Sequence, residues 1–343
     1  MEVSIFIIAA VVVALALFFD FSNGFHDAAN VVATIIVTCA MSPAMALTVA
    51  AVCEFIGPFL FGTAVAHTIG KNIVDTSAFA PNAMALSAGL IVAALIGAIV
   101  WNLITWWFGL PSSSSHALIG GLIGPVLIAY GPDKIIWNGV LFVFGSLILS
   151  PLIGLFFGWL FLRVTRSIAE QQRATPRANE FFNRMQIVSS ICLALSHGAN
   201  DAQKSMGVIA MSLVILGVSP SFDVPFWVVA SCAAAIALGC ATGGWRIIRT
   251  MGTQICRLRS VHAFCAQTAS ASVILTAALF GGPVSTTHVV SSSIIGAGAG
   301  ERLSAVRWTV AKDIVMAWFI TIPASAVVAG AAFYGIKALH PHF

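Results

Sequence analysis

"SNGFHDAANVVATIIVT", Ser22 to Thr38, is the stretch on which the fold turns. It lies within a 37-residue segment, Val3 to Cys39, that is otherwise apolar enough to sit in hydrocarbon, yet it carries an aspartate, a histidine and two asparagines. The whole chain supplies the context. Of its residues 59% are hydrophobic and 8% charged, with a mean hydropathy of +1.00, and such a chain has too few polar side chains to cover itself in water. It reads as an all-α polytopic membrane protein, which excludes a soluble catalytic domain. A net charge of +4 fits basic residues gathered in cytoplasmic loops and implies no nucleic-acid partner.

Runs of the length a bilayer requires, about 20 residues, are read at Pro43 to Ala66, Met84 to Leu110, Trp137 to Leu162, Pro225 to Trp245, His262 to Phe280 and Val306 to Gly335. The first run, Val3 to Phe19, has no basic n-region or small-residue cleavage site, so it reads as the start of a span and not as a signal peptide. The seven cysteines are scattered without a CxxC pair and read as apolar filler. Two further segments, Val3 to Cys39 and Met185 to Val218, are interrupted by polar clusters, "NGFHDAAN" at 23 to 30 and "HGANDAQK" at 197 to 204, and are expected to be broken helices.

The two clusters align. Asp27 matches Asp201 and Gly24 matches Gly198, an offset of 201 − 27 = 174 residues. A second pair keeps nearly the same register: "PSSSSH" at 111 to 116 matches "PVSTTH" at 283 to 288, with His116 and His288 offset by 288 − 116 = 172 and Gly124 matching Gly296. Two motif pairs in the same order at nearly equal offsets predict an internal duplication. The predicted organisation is a first transmembrane repeat, 1 to 162, a polar linker, 163 to 184, and a second repeat, 185 to 343. The linker is rich in arginine, and so is the loop bearing Arg246, Arg249, Arg257 and Arg259; both read as cytoplasmic. The counterpart loop of the first half, Ala66 to Asn82, has Lys71 and Asp75 only and reads as external, so the halves are expected to be inverted. Inverted repeats point to a secondary transporter with its site at the repeat interface.

Intramembrane carboxylates are expensive, by about 2.5 to 3.5 kcal/mol each, so Asp27 and Asp201 are expected to face a partner or an aqueous cavity, as cation ligands, as caps of half-helices, or as both. Each Ser/Thr stretch follows a proline and precedes a short glycine-interrupted apolar run, which predicts two re-entrant hairpins. Their tips would aim hydroxyls and free helix N–H groups at an anion. The alternative is that the hydroxyls satisfy backbone within packed helices. Lys204 stands where the first half has Asn30, and it can pair with Asp201 or lie at an interface. His26, His116, His197 and His288 all fall in the motifs, without the helical spacing of a fixed metal site, and read as proton-handling or hydrogen-bonding groups. Glu54 and Asp20 are intramembrane acids without a repeat partner. Lys312 and Asp313 read as an interfacial pair near one end of the last span.

These residues resemble the inorganic phosphate transporter (PiT) family of secondary carriers, of the bacterial low-affinity type. "GFHDAAN" at 24 to 30 and "GANDAQK" at 198 to 204 are similar to its duplicated signature, approximately Gly-x-Asn-Asp-x-x-Asn. "PSSSSH" and "PVSTTH" are similar to its hairpin motif, and "GGWRIIRTMG", Gly243 to Gly252, resembles a further segment; the similarity runs from about residue 3 to 335. The resemblance implies symport of inorganic phosphate, a bacterial inner-membrane location and a homodimer within the lipid bilayer. It implies no catalytic residue, no resident cofactor and no fixed metal. By the same resemblance phosphate is held by Ser113, Ser114, Ser115, Ser285, Thr286, Thr287, Asn30 and Lys204, and the coupling cation by Asp27, Asp201, Asn23, Asn200 and Gln203.

The chain departs from the pattern at His26, Lys204 and Gln203, and a lysine in place of a neutral ligand favours protons over sodium as coupling ion. A divalent metal would then travel with phosphate as a neutral complex. The competing readings are a sodium-coupled carrier, a sulfate permease of the same family, a channel, and, in a different class, a membrane-embedded phosphotransferase using His26 and Asp27.

Overall fold

The computed structural model describes residues 2–74, 84–171 and 176–339, so the part of the external loop that carries Asp75 lies outside the described residues. Every regular element among the described residues is a helix. Six helices occupy the first half: α1 (Glu2–Val37), α2 (Pro43–Leu60), α3 (Ala64–Lys71), α4 (Met84–Phe108), α5 (Ser114–Tyr130) and α6 (Trp137–Gln171). Six follow in the second: α7 (Pro176–Ile215), α8 (Phe226–Thr242), α9 (Trp245–Arg249), α10 (Ser260–Leu279), α11 (Thr286–Glu301) and α12 (Trp308–Leu339). Among the described residues six helices are long and apolar enough to cross a membrane, or seven if α8 and the bent segment after it form one span. The protein is a multi-pass membrane protein. Much of the polar stretch 163 to 184 is helical, divided between the end of α6 and the start of α7.

The structure corrects one expectation. The polar clusters do not break α1 or α7, each of which runs through its cluster as one helix. The interruptions fall in the next element of each half. α2 ends at Leu60 and α3 resumes at Ala64 past Gly62, whose φ is +78°. α8 ends at Thr242 before Gly243, φ +71°, and the chain turns by 61° into α9. Glycine takes this left-handed backbone without steric cost.

Gly24 and Gly198 serve close packing. A Cβ at Gly24 would meet the Ile236 carbonyl of α8, and one at Gly239 of α8 would meet the Phe21 carbonyl of α1. The second half repeats this with exchanged partners: Gly198 of α7 lies on the Glu54 backbone of α2, and Gly57 of α2 on the Leu195 carbonyl. Small residues let helix backbones approach in this way where lipid provides no hydrophobic drive. The exchange extends outward, since α5 packs on α12 while α11 packs on α6. It includes matching details. Trp137 Nε1 donates to the Pro132 carbonyl at 3.2 Å and Trp308 Nε1 to the Leu303 carbonyl at 2.9 Å. Isolated antiparallel bridges join Val74 to Ile135 and Cys256 to Val306.

Polarity is inside out, as a bilayer solvent requires. Large apolar side chains such as Phe108, Phe319 and Val327 are exposed, whereas Asp20, Asn23, His26, Asp27, Asn30, Glu54, His197, Asn200, Asp201, Gln203 and Lys204 are each no more than 1% exposed. α7 is the most polar of the long helices, and α1, α2, α3, α8 and α10 pack around it. Lys312 and Asp313 are exposed in the second turn of α12.

Candidate functional site

The centre of the molecule is built from α1, α7 and the N-termini of α5 and α11. Both short helices are capped alike: the Ser113 hydroxyl accepts from the His116 N–H at 3.2 Å, and the Ser285 hydroxyl from the His288 N–H at 3.2 Å. Such caps satisfy N–H groups that a helix start leaves without partners. The next residues carry the free hydroxyls inward. Thr287 donates to Asp27 Oδ1 at 3.1 Å, Ser114 to Asp27 Oδ2 at 3.4 Å, and Thr286 to Asp201 Oδ2 at 3.3 Å. Ser115 instead donates to the Val284 carbonyl at 3.0 Å, tying one tip to the other.

The two carboxylates have different companions. Asp27 Oδ1 is 2.6 Å from His26 Nδ1. On its far side His26 Nε2 meets Thr105 at 3.3 Å and Ser112 at 3.4 Å. Asp201 Oδ1 is 2.9 Å from Lys204 Nζ, and its Oδ2 accepts from Asn23 Nδ2 at 3.2 Å. Lys204 also donates to Ser114 at 3.3 Å, so one hydroxyl links the ammonium of α7 to the carboxylate of α1. Asn30 Nδ2 donates to Thr287 at 3.1 Å. Lys204 therefore takes the first of the two positions open to it in the sequence, pairing with Asp201.

His197 connects this centre to Glu54, with Nε2 3.7 Å from Asp201 Oδ2 and Nδ1 3.0 Å from Glu54 Oε1. Glu54 is thus part of the site, although it has no repeat partner in the sequence; its signal is a lone acid in an apolar run. Thr105 joins the site without warning from the sequence, because an isolated hydroxyl in a membrane helix has no signature, while Ser112, within "PSSSSH", joins it through His26 and Thr105. Asp20 accepts from Ser205 at 2.6 Å.

Several expected residues stand apart from the carboxylates. The Gln203 amide oxygen accepts from the Val65 and Ala66 N–H groups at 2.8 and 3.3 Å, and its nitrogen donates to the Ala199 carbonyl at 2.7 Å. It caps α3, whose own Thr63 makes no side-chain cap. Ser113 and Ser285 are occupied as caps. His116 and His288 lie against each other, ring centroids 4.6 Å apart, with Trp318 stacked on His288, and both line a separate lateral cavity of about 690 Å³ between α6 and α12. Asn200 is buried, and among the described residues its amide has no hydrogen bond.

Among the described residues Asp27, His197 and Asp201 each bring one ligand-type atom within 4.8 Å of the others, where a small cation could be held. Hydroxyl donors and helix N-termini directly above them suit an anion. The arrangement can hold an anion and a cation in one buried place.

Comparison with known proteins identifies this architecture. Residues 23–329 match the phosphate transporter family. The chain is 47% identical over 324 residues to a protein of Rhizobium meliloti described as a probable low-affinity inorganic phosphate transporter, covering 94% of each. It is 42% identical to a Bacillus subtilis protein of the same description, covering 96% of this chain and 97% of the other. Its fold is similar to a solved structure titled the sodium-dependent phosphate transporter, with a TM-score of 0.84, 25% identity and coverage of 97% and 99% of the two chains.

Proposed function

Because the chain belongs to the phosphate transporter family, we propose that it imports inorganic phosphate by symport with protons, in the inner membrane of a bacterium. The function is transport, not catalysis, which sets aside the phosphotransferase reading. One observation carries the proposal: both tip helices present hydroxyls to the two aspartates of α1 and α7, so anion donors and cation acceptors share one site.

Coupling follows from the same hydrogen bonds. An ionised Asp27 accepts from Thr287 and Ser114 and so keeps those hydroxyls from an anion. A protonated carboxyl gives up acceptor capacity and frees them to donate to phosphate. Proton and phosphate then favour each other's binding, and the coupling is reciprocal. Asp27 and Asp201 each already lie beside a basic group, which supports protons over a second bound metal cation. Phosphate at neutral pH can donate a proton to a carboxylate, whereas sulfate cannot. The exchanged packing of α5 and α11 supports two inverted halves, as alternating access requires, and a homodimer accords with the resemblance.

Proteoliposomes at fixed membrane potential test this reading, with phosphate and sulfate run in parallel. An inward proton gradient should drive phosphate accumulation without sodium; strict dependence on a sodium gradient overturns the coupling ion and leaves phosphate transport standing. The sodium reading keeps one support, the cluster of Asp27, His197 and Asp201. The same cluster supports carriage of phosphate as a divalent-metal complex, which co-uptake of labelled manganese with phosphate would test.

A further inference from the structure

We propose that Lys204 is a tethered cation permanently filling the cation position of Asp201, which lowers by one the number of mobile cations that move with each substrate ion. The inference deepens the transport reading above and rests on it.

The internal duplication provides the comparison. Asn30 and Lys204 occupy equivalent positions, 174 residues apart. Each donates to the tip of a short helix, Asn30 to Thr287 at 3.1 Å and Lys204 to Ser114 at 3.3 Å. At this pair of positions the two halves share their framework and differ by one fixed positive charge. That charge lies closer to the carboxylate than to any hydroxyl, with Nζ 2.9 Å from Asp201 Oδ1, and Lys204 is fully buried. Its first duty is to balance Asp201.

The surroundings of the ammonium are oxygen-rich. Asp201 contributes its carboxylate, Ser114 gives its hydroxyl to the ammonium, Thr286 and Asn23 hold the other carboxylate oxygen, and the side-chain oxygen of Asn23 is buried without a hydrogen bond among the described residues. Hard oxygen donors of this kind suit a small alkali cation once the ammonium is gone. A buried carboxylate that loses its partner is strongly unfavourable. The Lys204→Asn variant, which copies the other half, should therefore recruit Na⁺ or Li⁺ to the vacated position.

Purified protein in detergent gives a readout that needs no transport. The thermal midpoint of Lys204→Asn should rise steadily with Na⁺ or Li⁺, as expected for a ligand that binds only the folded state. The wild-type midpoint should respond no more than it does to choline, and Asp201→Asn/Lys204→Asn should lose the effect. In proteoliposomes, Lys204→Asn uptake should fall by roughly tenfold or more in choline and recover in Na⁺. Its reversal potential should then report one more translocated positive charge per phosphate than wild type. If Lys204→Asn proves unstable to purification, Lys204→Gln, which carries the same amide on a longer arm, is read by the same two measurements.

Absence of cation-dependent stabilisation in both amide variants overturns the inference. So does loss of phosphate binding that no alkali cation restores, which makes the ammonium a phosphate ligand. A wild-type protein that takes up no phosphate breaks the transport reading, while the stabilisation of Lys204→Asn by Na⁺ still decides the role of Lys204.

Discussion

In the first half the aspartate of the long helix lies 2.6 Å from an imidazole, Asp27 on His26; in the second it lies 2.9 Å from an ammonium, Asp201 on Lys204. The difference continues along the same helical turns. Positions 23 and 26 are Asn and His, and their equivalents 197 and 200 are His and Asn, so each half has one of each in exchanged places. Glu54 lies over Gly198 where the other half sets Ile236 over Gly24. The backbone framework, by contrast, is repeated down to its tryptophan hydrogen bonds and β-bridges. The two halves share where their polar groups stand and differ in what those groups are, because the glycine contacts that set the helix packing meet backbone and not these polar side chains.

The sharpest attempt to break this comparison is to neutralise each aspartate. Asp27→Asn and Asp201→Asn should both reduce radiolabelled phosphate uptake to background at matched expression. They should part in stability. Asp201→Asn leaves a buried ammonium without its carboxylate, a loss of about 3 to 5 kcal/mol, whereas the partner that Asp27→Asn leaves is an imidazole, which carries no obligatory charge. A lower thermal midpoint for Asp201→Asn than for Asp27→Asn supports two distinct halves; equal midpoints with equal activity show the halves to be equivalent.

Next come the tip hydroxyls. Ser114→Ala, Thr286→Val and Thr287→Val should each weaken phosphate binding by about 10- to 100-fold, the worth of a hydrogen bond to a charged group, about 1.5 to 3 kcal/mol. Calorimetric affinities unchanged in all three would place the anion elsewhere.

The framework itself should respond alike in both halves. Gly24→Ala and Gly198→Ala each press a methyl group into a facing backbone, at a cost of about 1 to 3 kcal/mol. Thermal midpoints that fall by similar amounts sharpen the claim of repeated packing, and a fall in one alone breaks it. The smallest effect belongs to the caps. Ser113→Ala and Ser285→Ala should cost about 1 kcal/mol of stability and leave phosphate affinity near wild type, because these hydroxyls cap their helices and, unlike those of Ser114, Thr286 and Thr287, make no hydrogen bond to Asp27 or Asp201.

The sequence alone determined the solvent, the paired motifs and several of the polar residues that the structure gathers at the centre. Hydrophobic runs, a composition poor in charge and two motif pairs at nearly constant offset are local or periodic facts, and they survive without a fold. Tertiary structure decided what those residues do. A glycine within a polar cluster predicts a helix break or a close contact equally well, and only the Ile236 and Glu54 backbones opposite Gly24 and Gly198 decide for contact. Gln203 reads as a cation ligand until the start of α3 takes its amide oxygen. Lys204 could have balanced an acid or faced an interface, and what fixed it was Asp201 one turn away together with Ser114, 90 residues distant. Glu54 gained its place from His197, and Asn30 its partner from Thr287, 257 residues along the chain. A buried polar group must be satisfied, but with a partner that distant, composition and spacing cannot say by whom.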